Sequence, residues 1–257
     1  MFCIICCFSG ILYSSETLDT AEQISKGKFR TVVYYTQTKA KPTFQMVDFS
    51  TTTGWGINKV DGDSSFGNVV VKLVLNPFDK LNWWARAGMV SDYKLGVPST
   101  DTPKIEYTNI SSYNGYTIGA GAKYQVFPQT DFNCGICLDF GVVYTNYIFN
   151  RKYQENIGYS DLSAGLSGLS GTKFEDTEFH AKFNLSRKIR KTEPYGGVSI
   201  YRNWYKFGSN SGTKDNINVF AGLKVKLRQL KWLMCEANLI GETSLSAGFC
   251  MAVGSHE

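Results

Sequence analysis

The stretch Tyr116–Phe127, YTIGAGAKYQVF, alternates without a break. Tyr116, Ile118, Ala120, Ala122, Tyr124 and Val126 fall on one side of an extended chain, and Thr117, Gly119, Gly121, Lys123 and Gln125 on the other. A period of two marks a β-strand between two different surroundings, whereas a helical face repeats about every 3.6 residues. The same alternation recurs from Lys28 almost to the C-terminus: KFRTVVYYTQT, NVVVKLVL, LNWWARAGMVS, DFNCGICLDFGVVYTNYIF, KFEDTEFHAKFNLSRKI, PYGGVSIYRNWYKF, NINVFAGLKVKLRQL, KWLMCEANLIG and TSLSAGFCMAVG. One more region, PTFQMVDFSTTTGWGIN, reads as one bent strand or two short ones. The expectation is an all-β fold, and 257 residues with 25 glycines and 6 prolines suit one large domain.

The connections alternate in length. Asn76–Lys80, Pro128–Thr130, Arg190–Glu193 and the turn near Gln229 are short, while Asp92–Asn114, Arg151–Gly171 and Gly208–Asp215 are long and rich in Ser, Gly, Asn and Thr. Three features place the apolar rows against lipid rather than in a core. Gly119, Gly121, Gly135, Gly141, Gly222 and Gly248 lie on the polar rows, where glycine offers nothing to water but leaves room for large side chains from neighbouring strands. Apolar rows such as Ile217, Val219, Ala221, Leu223, Val225 and Leu227 are long enough for the ~10-residue strands that cross a bilayer. Tyr116, Tyr124, Phe132, Tyr144, Tyr147, Phe179, Tyr195 and Trp232 gather towards strand ends, as two interfacial girdles would.

In these patterns the chain resembles the bacterial outer-membrane β-barrel superfamily, over roughly 28–254. The resemblance implies an antiparallel up-and-down transmembrane barrel in the bacterial outer membrane, with short periplasmic turns and long extracellular loops. Its partners would be the lipid bilayer and the barrel-assembly machinery, and an oligomer is compatible with it. About eleven strand segments can be counted, and barrels of this kind have even numbers. Twelve strands are preferred over ten, with the ambiguity in Pro42–Asn58. The C-terminus departs from the superfamily pattern: Phe249 is followed by five more residues up to Gly254 and then Ser-His-Glu, rather than standing last.

Residues 1–15, MFCIICCFSGILYSS, read as an export signal ending near Ser14 or Ser15, although no basic residue precedes the apolar run. Residues 16–27 read as a polar tether, and 28–254 as the barrel. Cys134-Gly-Ile-Cys137 has the spacing of a redox or zinc pair, but on a strand residues three apart point to opposite faces, so no metal or cofactor is expected there. A three-residue loop around Glu242 would keep Glu236, Asn238 and Cys250 inside and leave Cys235 on lipid, so that no disulfide forms; burying the carboxylate in lipid instead would cost a few kcal/mol.

The polar rows then line a lumen whose ionisable set is Lys72, Arg86, Lys123, Asp139, Glu178, His180, Lys182, Lys224, Lys226 and Glu236. Positive charge exceeds negative, which favours a narrow porin-like passive channel for small, preferentially anionic solutes. The alternatives are a non-conducting structural or adhesive barrel, in which the same charges brace the interior, and a membrane-embedded hydrolase or acyltransferase. Catalysis is disfavoured: His180 and Ser186 lie six residues apart on one strand, about 20 Å, and no phosphate-binding loop or dinucleotide fingerprint occurs. The formal charge of +5 is spread along the chain without a basic run, which argues against a nucleic-acid partner.

Overall fold

In the computed structural model, residues 7–9, 18–22, 24–40, 43–48, 56–61, 63–99, 106–112, 115–130, 133–148, 151–154, 158–161, 173–207, 210–240 and 243–253 are described. Ten strands close into a ring: β1 (Phe29–Ala40), β2 (Asp63–Phe78), β3 (Leu81–Ser99), β4 (Gly115–Phe127), β5 (Gly135–Ile148), β6 (Lys173–Ser186), β7 (Thr192–Phe207), β8 (Asn210–Arg228), β9 (Lys231–Ile240) and β10 (Thr243–Val253). Each pairs antiparallel with its sequence neighbours, and β10 returns to β1 with Phe249 opposite Val33. Closure leaves no strand edge unpaired, a requirement for a sheet in lipid.

The preference for twelve strands is thereby corrected to ten. The surplus came from Pro42–Asn58: Thr43–Asp48 and Gly56–Asp61 pair with each other, and Thr43–Gln45 with Cys7–Ser9, in a small sheet separate from the ring. The long connections also carry strand structure. β3 runs on to Ser99 and pairs there with Glu106–Ser112, which pairs with Arg151–Gln154 and that with Gly158–Asp161. Gly208–Asp215, expected as a loop, is mostly sheet, with Phe207 opposite Asn210.

Tight turns sit at the other end. Phe78 faces Leu81 and Arg228 faces Lys231 across two-residue connections, and Lys80, Arg190 and Leu230 take left-handed backbone there (φ 67°, 56° and 61°). Asn238 pairs with Ser244, so the β9–β10 connection is centred one residue before Glu242. The expected facing survives that shift, with Glu236, Asn238 and Cys250 buried and Cys235 exposed. Cys134 is exposed and precedes β5 while Cys137 is buried on it, both free.

The ring is inside-out by the standard of a soluble fold. Val71 (46 % exposed), Ile118 (50 %) and Ile200 (54 %) face outward, while Lys72, Lys123 and Lys182 on the opposite rows are at most 3 % exposed. On β8 the outward row from Ile217 to Leu227 is unbroken. Ten steps of about 3.4 Å, tilted by about 40°, cover about 26 Å of membrane normal, the height of a barrel's apolar band. Above it, Arg202 and Asp215 form an exposed bidentate ion pair at 2.6 and 2.7 Å, one outward position beyond Ile200 and Ile217.

Candidate functional site

The lumen is built in two layers. In one, glycines on β4 and β5 make space for one large side chain. A Cβ on Gly141 would lie 2.2 Å from Trp84 Cζ2, and one on Gly121 2.4 Å from the same atom. Trp84 therefore lies over both glycines, with its indole N–H donating to Asp139 at 2.7 Å and its ring stacked on His180 at 5.7 Å. His180 Nδ1 meets Glu178 at 3.0 Å, and Lys72 Nζ lies 5.1 Å from the Trp84 ring centre. Asn203 on β7 donates to Asp176 on β6 at 2.9 Å, and Thr145 to Thr117 at 3.1 Å. Ser186 is engaged with Glu193 at 2.9 Å, far along β6 from His180.

The second layer, nearer the tight turns, is closed by the N-terminal segment. Within the segment expected as a polar tether, Leu18, Asp19, Thr20 and Ala21 are packed inside, each at most 1 % exposed. Leu18 enters a collar of Val32, Tyr34, Val70, Tyr195, Phe220, Met234 and Cys250, and Ile24 joins Val74, Trp84 and Val143. Between these apolar anchors, the Asp19 carboxylate meets Arg30, Lys123 at 2.8 Å and Lys72 at 3.7 Å. The strap's backbone is also held by wall side chains. Lys123 donates to Thr20 O at 2.8 Å, Asn184 to Asp19 O at 2.7 Å, Gln125 to Ala21 O at 3.3 Å and Asn76 to Ile24 O, while Ala21 N donates to Ser186 Oγ at 3.1 Å. Glu22, on the open side, joins Lys224 and Arg30, and Lys224 also meets Glu193 at 3.0 Å. Gly27, at φ 75°, then turns the chain into β1, its N–H donating to Asn76 O at 3.0 Å. The left-handed conformation is one that glycine adopts at no steric cost.

Burial opposes ionisation of both strap carboxyls, which lie outside the spanning strands. The field of Arg30, Lys123 and Lys72 on Asp19, and of Lys224 and Arg30 on Glu22, outweighs it and holds both below the usual carboxylate range.

Nine of the ten ionisable residues read as lumen-lining have buried side chains inside the ring, and six of them, Lys72, Asp139, Glu178, His180, Lys123 and Lys224, join the two networks above. Lys226 does not: it is exposed beside the β8–β9 turn. The girdle residues divide. Tyr116, Tyr124 and Phe179 face outward. Tyr144 is half-buried, 6.1 Å from Tyr116 and donating to Glu175 at 3.2 Å. Tyr147 and Tyr195 are buried inside the lumen rather than standing at a lipid boundary, and Trp232 packs against the collar with Lys224 Nζ 5.0 Å from its ring centre. Phe132 lies outside the described residues. Arg30, Trp84, Asn184 and Glu193 were not among the expected lumen residues. Arg30 and Glu193 share rows with buried neighbours, so parity is the signal that finds them.

An apolar belt around a ring of ten hydrogen-bonded strands, with charge turned inward, has one physical explanation. The chain is a transmembrane β-barrel. Its architecture is that of the bacterial outer-membrane barrels. No protein-family description matches the chain, nor does any curated protein. Among solved structures it is similar to the COG4313 outer-membrane channel of Pseudomonas putida F1, at 12 % identity over 91 % of this chain and 98 % of that one, with a TM-score of 0.46. The β domain of the Bordetella autotransporter BrkA aligns at 9 % identity over 88 % and 99 % (TM-score 0.48), and OprG of Pseudomonas aeruginosa at 9 % over 92 % and 100 % (TM-score 0.44). These likenesses are loose, and the architecture rests on the strand pairing of this barrel itself.

Proposed function

We propose that this barrel resides in the bacterial outer membrane as a narrow passive channel for small anionic solutes, held shut at rest by its own N-terminal strap. The supporting observation is the charge of the lumen layer that the strap occupies. Arg30, Lys72, Lys123 and Lys224 converge there from four strands, and the carboxylates that neutralise them come largely from Asp19 and Glu22 on a segment outside the wall. A cationic constriction lowers the electrostatic barrier for anions. A strap is also removable in a way that wall strands are not, because its departure breaks no ladder hydrogen bond. The tight turns would face the periplasm and the extended strands the exterior, and residues 1–15 would serve as an export signal.

A second reading, a braced non-conducting barrel, draws on the dense packing around Trp84 and His180. Single-channel recording on the refolded full chain in planar bilayers separates the two. The channel reading expects long closures with discrete openings, reversal potentials favouring anions, more frequent opening in Asp19→Lys and weaker anion preference in Lys224→Glu. Insertion without conductance in both the native chain and Asp19→Lys overturns it in favour of the brace.

A further inference from the structure

We propose that Arg30, Lys72 and Lys123 form a carboxylate-binding site in the lumen, that Asp19 fills it as a tethered ligand, and that free small carboxylates compete for it. This deepens the channel reading by naming a solute class, and its occupancy can be measured without conductance.

The geometry carries the inference. Two carboxylate oxygens are gripped from separate directions: Arg30 Nη2 on Oδ1, and Lys123 Nζ at 2.8 Å with Lys72 Nζ at 3.7 Å on Oδ2. The three cations belong to β1, β2 and β4, so ladder hydrogen bonds of the wall hold them in place whatever the strap does. Their side chains are 3–4 % exposed. Three charges so deeply withdrawn from water demand an anion, because an uncompensated buried charge is strongly unfavourable. Arginine's planar fork suits a carboxylate in a way that it does not suit chloride. Asn184 holds the strap itself, donating to the Asp19 main-chain carbonyl at 2.7 Å. The ligand itself sits on an irregular segment held by side chains, a bond set that a competitor can replace one contact at a time.

The test is chemical rescue in the full chain. Asp19→Gly removes the carboxylate and leaves a hole of formate or acetate size. Unfolding of this variant in detergent is followed with sodium formate against sodium chloride at equal ionic strength. The expected result is a lower midpoint that formate restores saturably and chloride does not, with the rescue lost when Lys123→Met is added. Formate at about ten times its dissociation constant shifts the folding equilibrium about elevenfold. A midpoint equal to that of the native chain, or a deficit that formate and chloride treat alike, overturns the site.

Should Asp19→Gly fail to refold, Thr20→Cys takes its place. Thr20 is fully buried, so maleimide labelling at this position, read by peptide mass, reports strap release. Labelling that accelerates saturably in formate supports competition, and equal rates in formate and chloride refute it. A barrel that never conducts yet shows rescue loses the channel reading and keeps the site.

Discussion

Gly141→Ala tests the lumen packing most sharply, because the clash it creates is with side chains alone. The new methyl would sit 2.2 Å from Trp84 Cζ2, 2.6 Å from Cη2 and 2.9 Å from His180 Cε1. Trp84 must swing off β5, which breaks its 2.7 Å bond to Asp139 and its stack on His180. Overpacking costs about 1–3 kcal/mol, and leaving the buried Asp139 short of a donor costs a further ~1–3 kcal/mol. Replacing glycine in a strand returns about 0.5–1 kcal/mol of chain entropy. The net destabilisation is then roughly 1–5 kcal/mol. Denaturant unfolding of the barrel in detergent, followed by tryptophan emission, measures it as a lower midpoint at unchanged slope. The decisive arm is a double-mutant cycle with Trp84→Leu, in whose background only the 2.9 Å approach to His180 Cε1 remains and Gly141→Ala costs markedly less. An unchanged midpoint in the single variant, or an equal cost with and without the indole, refutes the stated packing.

Other positions give independent checks. Val71→Lys puts a charge in the middle of the outward belt and is expected to cost about 2–4 kcal/mol when refolding is measured in lipid vesicles; tolerance at that level would turn the barrel back into a soluble fold. Leu230→Gly relieves left-handed backbone at the β8–β9 turn and should stabilise the barrel by about 1 kcal/mol, read as a higher denaturation midpoint. The strap's pH response follows from Asp19 and Glu22, both depressed below ordinary values. Their stabilisation is complete above the unfolded values of about 3.9 and 4.3 and is lost only as pH falls through the lower folded ones. Hydrogen-exchange protection of the Ala21 amide should therefore persist from pH 7 to about 4.5 and fail well below 4; loss between pH 7 and 5 would contradict the ion-pair assignment.

How much of the barrel is legible in the sequence depends on which residues carry a periodic signal. Inward and outward rows on the long strands follow from parity alone, which is why alternation suffices to put Lys72, Lys123 and Lys224 in the lumen. The same rule divides the aromatics, where nearness to a strand end does not. Tyr144 and Tyr147 are three residues apart and face opposite sides, so a girdle cannot hold both. Thr43–Met46 alternates as barrel strands do, because alternation reports a two-sided environment and not membership of a ring. The strap carries no period at all. Its partners lie on strands up to 202 residues away, and only composition hints at them: Asp19 and Glu22 beside Leu18 and Ile24, upstream of a lumen rich in lysine.

Charge shows the same limit and adds a consequence for function. Along the chain the basic residues are dispersed, yet folding brings the β2–β3, β6–β7 and β8–β9 turns to one end. Lys80, Arg187, Arg190, Lys191, Arg228 and Lys231 are all exposed there, with Asp79 as an exposed carboxylate among them. Glu22 lies between this rim and the buried cations, bonded to Lys224 and Arg30. The rim and the second lumen layer thus form one positive gradient, interrupted by two strap carboxylates. Exposed rim charges are screened over about 8–10 Å at physiological salt, whereas the buried layer is screened far less. The rim would accordingly gather anions at rates that fall with ionic strength, and the strap, rather than the rim, would decide which of them advance. In the channel reading, rim substitutions such as Arg190→Glu alter the salt dependence of conductance and leave closed-time distributions alone. Substitutions at Asp19 do the reverse.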